Sequence, residues 1–134
     1  MIAVDTNILV RYVTNDDLVQ SRQAKALLEN AQAIFISKTT LLEVEWVLRS
    51  AYKLPRESIL KSILTICGWP NLTVENPWQV AQACEFYGKG LDFADALHYC
   101  ANTDVEAFYT FDEKFIKNGS LANLNMARPD SLFD

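Results

Sequence analysis

The feature that most constrains this chain is its alternation of short apolar runs with long segments of 3.6-residue periodicity. Short runs bounded by turn residues read as buried strands, and the periodic segments read as amphipathic helices. Strands separated by helices pair in parallel through right-handed crossovers. The pattern therefore predicts an α/β fold. Strands are expected at Ile2-Ala3-Val4 (buried), Ile34-Phe35-Ile36, Leu72-Thr73-Val74 and Phe108-Tyr109-Thr110, with an edge strand around residues 124–127.

Helices fill the intervals. The first covers residues 8–13, and Asn15-Asp16-Asp17 reads as a turn and cap. The second carries Ala24, Leu27, Leu28 and Ala31. A third, over residues 40–52, carries Leu41, Val44, Val47, Leu48 and Ala51. Pro55 opens a fourth, suited to a first helical turn, whose stripe of Leu60, Ile63, Leu64 and Cys67 is widened by Ile59 and Ile66. A stripe this wide fits deep burial and a subunit contact equally well. The helix after Asn76-Pro77 carries Val80, Ala83, Cys84 and Tyr87 and ends at Gly88 and Gly90. Residues 92–102 form the next helix and residues 112–115 a short one.

The length of 134 residues suits one domain over 1–134, and a hydrophobic half excludes disorder. The charge-free run over residues 62–74 is too short to span a bilayer and holds Gly68, Pro70 and Asn71. Met1-Ile2-Ala3-Val4 meets Asp5 with no basic start, so no secretory signal is expected. Cys67, Cys84 and Cys100 are odd in number and form no Cys-x-x-Cys pair, which reads as reduced core residues of a cytoplasmic protein. With a single His, a zinc site is not expected. The net charge of −5 argues against a broad basic face for nucleic acid, but not against a local acidic site that recruits cations.

Parallel sheets place their ligands beyond the carboxyl ends of the strands, and four acidic residues are expected on that side. Asp5 follows the first strand directly. Glu43 lies in the first turn of the helix after the second strand, Asp95 in the first turn of its helix, and Asp112 two residues past the fourth strand. Each has a plain structural reading as well. Asp5 can cap the first helix, Glu43 can complete a capping box with Thr40, Asp92 and Asp95 form a cap-like pair, and Asp112 can cap the helix after it. Those readings explain the residues singly, but not why four share one end of one sheet. Two unit charges ~4 Å apart cost about 4 kcal/mol at an effective dielectric near 20, so such a cluster raises its pKa values or binds cations. Carboxylates without His or Cys suit Mg²⁺ or Mn²⁺.

Val4-Asp5-Thr6-Asn7, Ser37 leading to Glu43-Val44, Asp92-Phe93-Ala94-Asp95-Ala96-Leu97 and Thr110-Phe111-Asp112-Glu113-Lys114-Phe115 resemble, in order and spacing over essentially the whole chain, the motifs of PIN-domain ribonucleases. The short length is similar to the toxin subunit of toxin–antitoxin pairs, the VapC type. The resemblance implies a three-layer α/β/α sandwich with a mainly parallel central sheet and a Mg²⁺- or Mn²⁺-dependent endoribonuclease whose products carry a 5′ phosphate and a 3′ hydroxyl. It implies Asp5, Glu43, Asp95 and Asp112 as the catalytic and metal-holding quartet, with Asp5 and Asp95 as the main ligands. Asn7, Ser37, Asp92 and Thr110 fall at supporting positions, and an assignment three residues earlier, at Asp92, stays open beside Asp95. It also implies an RNA substrate, a homodimer and a small antitoxin that inserts a basic side chain among the carboxylates.

Lys38 and Lys114, near the expected site, are the candidates for RNA phosphate contact. Trp46, Trp69 and Trp78 can stack on bases, though Trp46 at helical spacing reads as packed in a core or a partner groove. His98, three residues after Asp95, reads as an ordinary helix His. Rival classes fit less well. A haloacid-dehalogenase-type phosphatase wants Asp-x-Asp, where residue 7 is Asn, and a receiver domain wants an acidic pair before its first helix. A PIN nuclease of RNA processing, and a non-catalytic module whose acidic pocket binds a basic peptide, remain as alternatives.

Overall fold

Parallel pairing, the main expectation from the alternating pattern, is what the backbone displays. The computed structural model describes residues 1–133. The chain divides into two compact units, Met1–Pro77 and the remainder from Trp78.

The first unit runs β1 (Ile2–Ala3), α1 (Thr6–Thr14), α2 (Leu18–Asn30), β2 (Ile34–Ile36), α3 (Lys38–Ser50), α4 (Arg56–Cys67) and β3 (Leu72–Val74). The strands form a parallel sheet in the order β1-β2-β3, with Ile2 opposite Ile34 and Ile34 opposite Leu72. Polar residues start the helices: Asp17 accepts from the Gln20 N–H at 3.0 Å, and Ser37 from the Thr40 N–H at 3.2 Å. Asn15 ends α1 in the left-handed region, a conformation Asn tolerates. The core is aliphatic. Leu9, Ile34, Ile36, Leu41, Leu48, Ile59, Ile63 and Ile66 are fully buried, each stabilising the fold by roughly 1.5–3 kcal/mol relative to exposure.

Several local expectations need correction in this unit. Both residues of β1 are exposed rather than buried, because β1 is a two-residue strand at the edge of its sheet. Helix α3 starts two residues earlier than expected, since Ser37 and not Thr40 is its cap. Pro55 occupies the cap position of α4 rather than its first turn. The buried seam of α4 runs through Ile59, Ile63 and Ile66, which leaves Leu64 half exposed; Leu27 of α2 is turned out in the same way. Trp46 is 58% exposed and does not pack in a core.

The second unit runs α5 (Pro77–Gly88), α6 (Phe93–Cys100), β4 (Phe108–Tyr109), α7 (Glu113–Leu121) and β5 (Met126–Ala127), followed by a 3-10 turn over Pro129–Phe133. Its interior is built from rings. Tyr87 meets Phe93 at 5.3 Å between centroids, Tyr99 meets Phe108 at 6.0 Å, and Phe108 meets Phe115 at 5.5 Å. Gly90, at φ +112°, makes the turn between α5 and α6 in a conformation that side chains disfavour. At Gly119 a Cβ would collide with the Met126 sulfur, so this glycine lets α7 approach β5.

Strands β4 and β5 pair in parallel, Phe108 opposite Met126, which bears out the tail strand. Among the described residues they form a sheet of their own rather than extending the first one, because each finds its hydrogen-bonding partner in the other. The short helix expected at residues 112–115 continues to Leu121, buried through Phe115 and Gly119.

Candidate functional site

In the first unit, Asp5 emerges from β1 in extended conformation and its Oδ1 accepts the Thr6 N–H at 2.7 Å. The capping role is real, but the bond goes to the adjacent amide and engages one carboxylate oxygen. Thr6 is buried, and its hydroxyl donates to Glu43 Oε2 at 3.2 Å. One threonine thus ties the exposed carboxylates at the start of α1 and on α3 to a common anchor. Glu43 is the sixth residue of α3, in its second turn, so the expected capping box with Thr40 does not form. Asn7 is exposed in the first turn of α1.

The start of α3 is secured from two sides. Ser37 Oγ accepts the Thr40 N–H and lies 3.0 Å from the hydroxyls of Thr39 and Thr40. The backbone N–H of Lys38 donates to Glu75 Oε1 at 2.9 Å, and the Glu75 N–H donates to the Ile36 carbonyl at 2.9 Å. Glu75, directly after β3, therefore satisfies an amide at the helix start that would otherwise lack a partner. Sequence reasoning passed over Glu75 and Thr6. Each sits next to a strand end or a quoted motif, and that adjacency was the available signal.

In the second unit, Asp92 caps α6 by accepting the Asp95 N–H at 3.1 Å. Asp112 caps α7 by accepting the Phe115 N–H at 3.0 Å, while its own N–H donates to Thr110 Oγ1 at 3.0 Å. Asp95 caps nothing. Its half-buried carboxyl is pushed above the usual carboxylate range, first by burial and then by the charges of Asp92 and Asp112; His98 and Lys114 pull it partly back. Of the Asp-x-x-Asp pair, Asp92 is thus the cap and Asp95 the carboxylate that a cation would relieve.

Asp5 and Glu43 are brought together through Thr6 in one unit, and Asp92, Asp95 and Asp112 share a field in the other. Among the described residues no three His, Cys, Asp or Glu side chains form a group that could enclose a metal ion. The acids around Asp95 offer carboxylate oxygens, with the His98 imidazole also within its field, and the oxygens fit a hard divalent cation better than a soft one.

Other features are separate from these residues. Glu45, which sequence reasoning also missed, is 2% exposed and accepts from the Arg49 Nε at 2.9 Å, an ion pair one helical turn apart. Burial pushes the Cys67 thiol up to about 11, so it stays protonated at neutral pH. No disulfide occurs among the described residues. A cavity of about 490 Å³ opens by α1, α2 and α4 with Tyr12, Lys25, Lys61 and Trp69 in its lining; none of the acidic residues of the quoted motifs lines it.

The family model for the PIN domain matches residues 2–121. No curated protein matches the chain. Among solved structures, the chain is similar to the crystal structure of Mycobacterium tuberculosis VapC20, a toxin that cleaves the sarcin-ricin loop, with 21% identity, a TM-score of 0.46 and coverage of 96% of this chain and 100% of that one.

Proposed function

Because this chain belongs to the PIN domain family, with the PIN-like α/β/α fold class that its motifs imply, we propose that it is a metal-dependent endoribonuclease and the toxin of a toxin–antitoxin pair. The observation that carries this reading is the PIN-domain match over residues 2–121, which takes in Asp5, Glu43, Asp95 and Asp112; the Asp95 carboxyl, held above its ordinary range by burial and by two neighbouring aspartates, agrees with it. A group so placed costs stability unless a cation or a proton joins it.

Asp5 with Glu43 in the first unit, and Asp95 with Asp112 in the second, are the carboxylates proposed as ligands for Mg²⁺ or Mn²⁺, Asp5 and Asp95 directly and Glu43 and Asp112 through water. The chemistry a bound divalent cation would supply is a lowered water pKa near neutral pH and charge neutralisation at the phosphate. The chain's own groups do the rest. Thr6 orients Glu43 by its hydroxyl, and Thr110 and Phe115 fix the Asp112 backbone and carboxylate. Lys38 and Lys114, at the starts of α3 and α7, attract the RNA phosphates. Asn7, Ser37, Asp92 and Thr110 support these positions.

The matched stretch of 2–121 runs through both units, which supports one nuclease domain over 1–134. A homodimer would use the exposed side of α4 around Leu64. The acidic chain suits an antitoxin that inserts a basic side chain among the carboxylates. Among the described residues no helix is long and apolar enough to cross a membrane, and a cytoplasmic location accompanies the toxin reading.

The test is cleavage of total cellular RNA by purified protein with Mg²⁺ or Mn²⁺, against a chelator control and Asp5→Asn, with the cleavage ends mapped. Metal-dependent ends bearing 5′ phosphates, lost in Asp5→Asn, are expected. Binding of a basic peptide with no cleavage under any metal would replace the nuclease with a binding module.

A further inference from the structure

Phe111 stands between Thr110 and Asp112 and is 69% exposed. A single exposed ring is ordinary on a protein surface, so the case rests on how the chain around this one is held. Thr110 is anchored by its N–H to the Ala127 carbonyl at 3.0 Å, and its hydroxyl accepts the Asp112 N–H at 3.0 Å, so Phe111 occupies the apex of a closed turn. The Arg128 guanidinium lies over the ring, 6.0 Å from its centroid. Arg128 is itself held by the carboxylates of Glu113 and Asp130. The ring thus has an ion-paired guanidinium over it, stands in a hydrogen-bonded turn and lies one residue before a proposed catalytic aspartate. Tyr109, two residues earlier, is 47% exposed.

Resting on the nuclease reading above, we propose that Phe111 is a stacking platform for an unpaired RNA base next to the cleaved phosphate. A flat base with polar edges fits this frame, because the sequence neighbours of Phe111 include Thr110, Asp112, Glu113 and Lys114 and the guanidinium of Arg128 lies over the ring. An apolar knob from a protein partner would leave those polar groups covered and unpaired. Lys114, exposed and three residues on, supplies positive charge for the adjoining phosphate. Stacking needs only a π-face, so Phe111 would select single-stranded substrate without dictating the base.

The experiment compares wild type with Phe111→Ala, Phe111→Leu and Phe111→Trp. It reads binding of a fluorescent single-stranded oligoribonucleotide by metal-free protein, and KM and kcat for its cleavage with Mg²⁺. Phe111→Ala and Phe111→Leu should weaken binding and raise KM by roughly 10- to 100-fold, the range lost with one base stack. Phe111→Trp should restore both, and kcat and melting temperature should stay near wild type. Placing an abasic nucleotide at the stacked position should erase the difference between wild type and Phe111→Ala. Binding within twofold for all variants, rescue by Leu, or a change in oligomer mass by light scattering with RNA binding intact would each overturn the proposal. If wild type binds RNA through Phe111 but cuts nothing, the nuclease reading fails and the stacking site stands. If wild type neither binds nor cuts, both fail.

Discussion

The two units hold their acids at and near helix starts in different ways. In the first, Asp5 and Glu43 are held by hydrogen bonds to the two donors of a single buried threonine. In the second, Asp95 accepts no helix-capping bond and instead absorbs burial and two like charges, while Asp92 and Asp112 do the capping. The interiors differ too: aliphatic side chains fill the first, and a run of aromatic pairs fills the second. The difference teaches where a cation matters most. Carboxylates positioned by neutral donors are ready as ligands without strain, whereas one positioned among like charges gains stability when the ion arrives.

The hardest way to break this comparison is through the cores. Phe93→Ala in the second unit should cost about 3–5 kcal/mol, and Leu48→Ala in the first about 2–5 kcal/mol, since both side chains are fully buried. If 1–134 is one domain, both variants lower the same thermal transition, followed by circular dichroism. Two transitions, each moved by only one of the variants, would separate the units.

Next comes the strained acid itself. Asp95→Asn should reduce kcat for RNA cleavage by about 100-fold or more. Without metal it should melt at or above the wild-type temperature, because the substitution removes charge from the field of Asp92 and Asp112. Mg²⁺ at about a hundred times its dissociation constant should raise the wild-type melting temperature by several degrees and leave the variant unmoved. A variant less stable than wild type in chelator would show that the carboxylate is favourable where it stands, and the contrast between units would vanish.

The sequence made the positions of these acids legible and left their partners hidden. Asp92 caps its helix as its placement foretold, Asp5 and Asp112 take the capping role that the sequence left open beside a ligand role, and parallel pairing followed from helices between strands. Thr-x-x-Glu mimics a capping box and so places Glu43 in a first turn; Ser37, directly after β2, takes the cap position instead. Glu75 and Glu45 carried no motif. The role of Glu75 depends on β3 lying beside β2, and the burial of Glu45 depends on which face of α3 packs inward; both are tertiary facts. The second sheet was missed for a similar reason. Apolar runs predict strands but not which neighbour each takes, and here β4 takes β5.

The threonine anchor gives a smaller effect. Thr6→Val keeps the size of the buried side chain and the backbone N–H to Asp5 but removes the donor to Glu43. Stability should fall by about 1 kcal/mol. Cleavage should fall by roughly 10-fold, the scale of an orienting contact behind a ligand. Thr6→Ser should recover most of the activity. If Val and Ser behave alike, the hydroxyl does not orient Glu43.

The smallest effect sets an exposed acid of one unit against an exposed acid of the other. In the first unit Asp16 accepts from the Tyr52 hydroxyl at 2.7 Å and from Thr14 and Arg11 at 3.0 Å each, and the Tyr52 bond leads in holding its carboxyl below the usual range. In the second, Asp130 is lowered chiefly by the bond from Arg128. A carboxylate with a depressed folded pKa contributes stability that is present above the ordinary carboxylate range and lost as pH falls through the folded value. Melting temperature followed from neutral pH into acid should therefore drop for wild type, with Tyr52→Phe lower at neutral pH and converging on it once Asp16 is protonated. Asp130→Asn should converge in the same window with a smaller neutral gap, because a solvated pair with one arginine is weak. Parallel curves for Tyr52→Phe would mean that the tyrosine bond does not distinguish the charged carboxylate from the neutral one. The network at Asp16 would then be a matter of packing and not of charge.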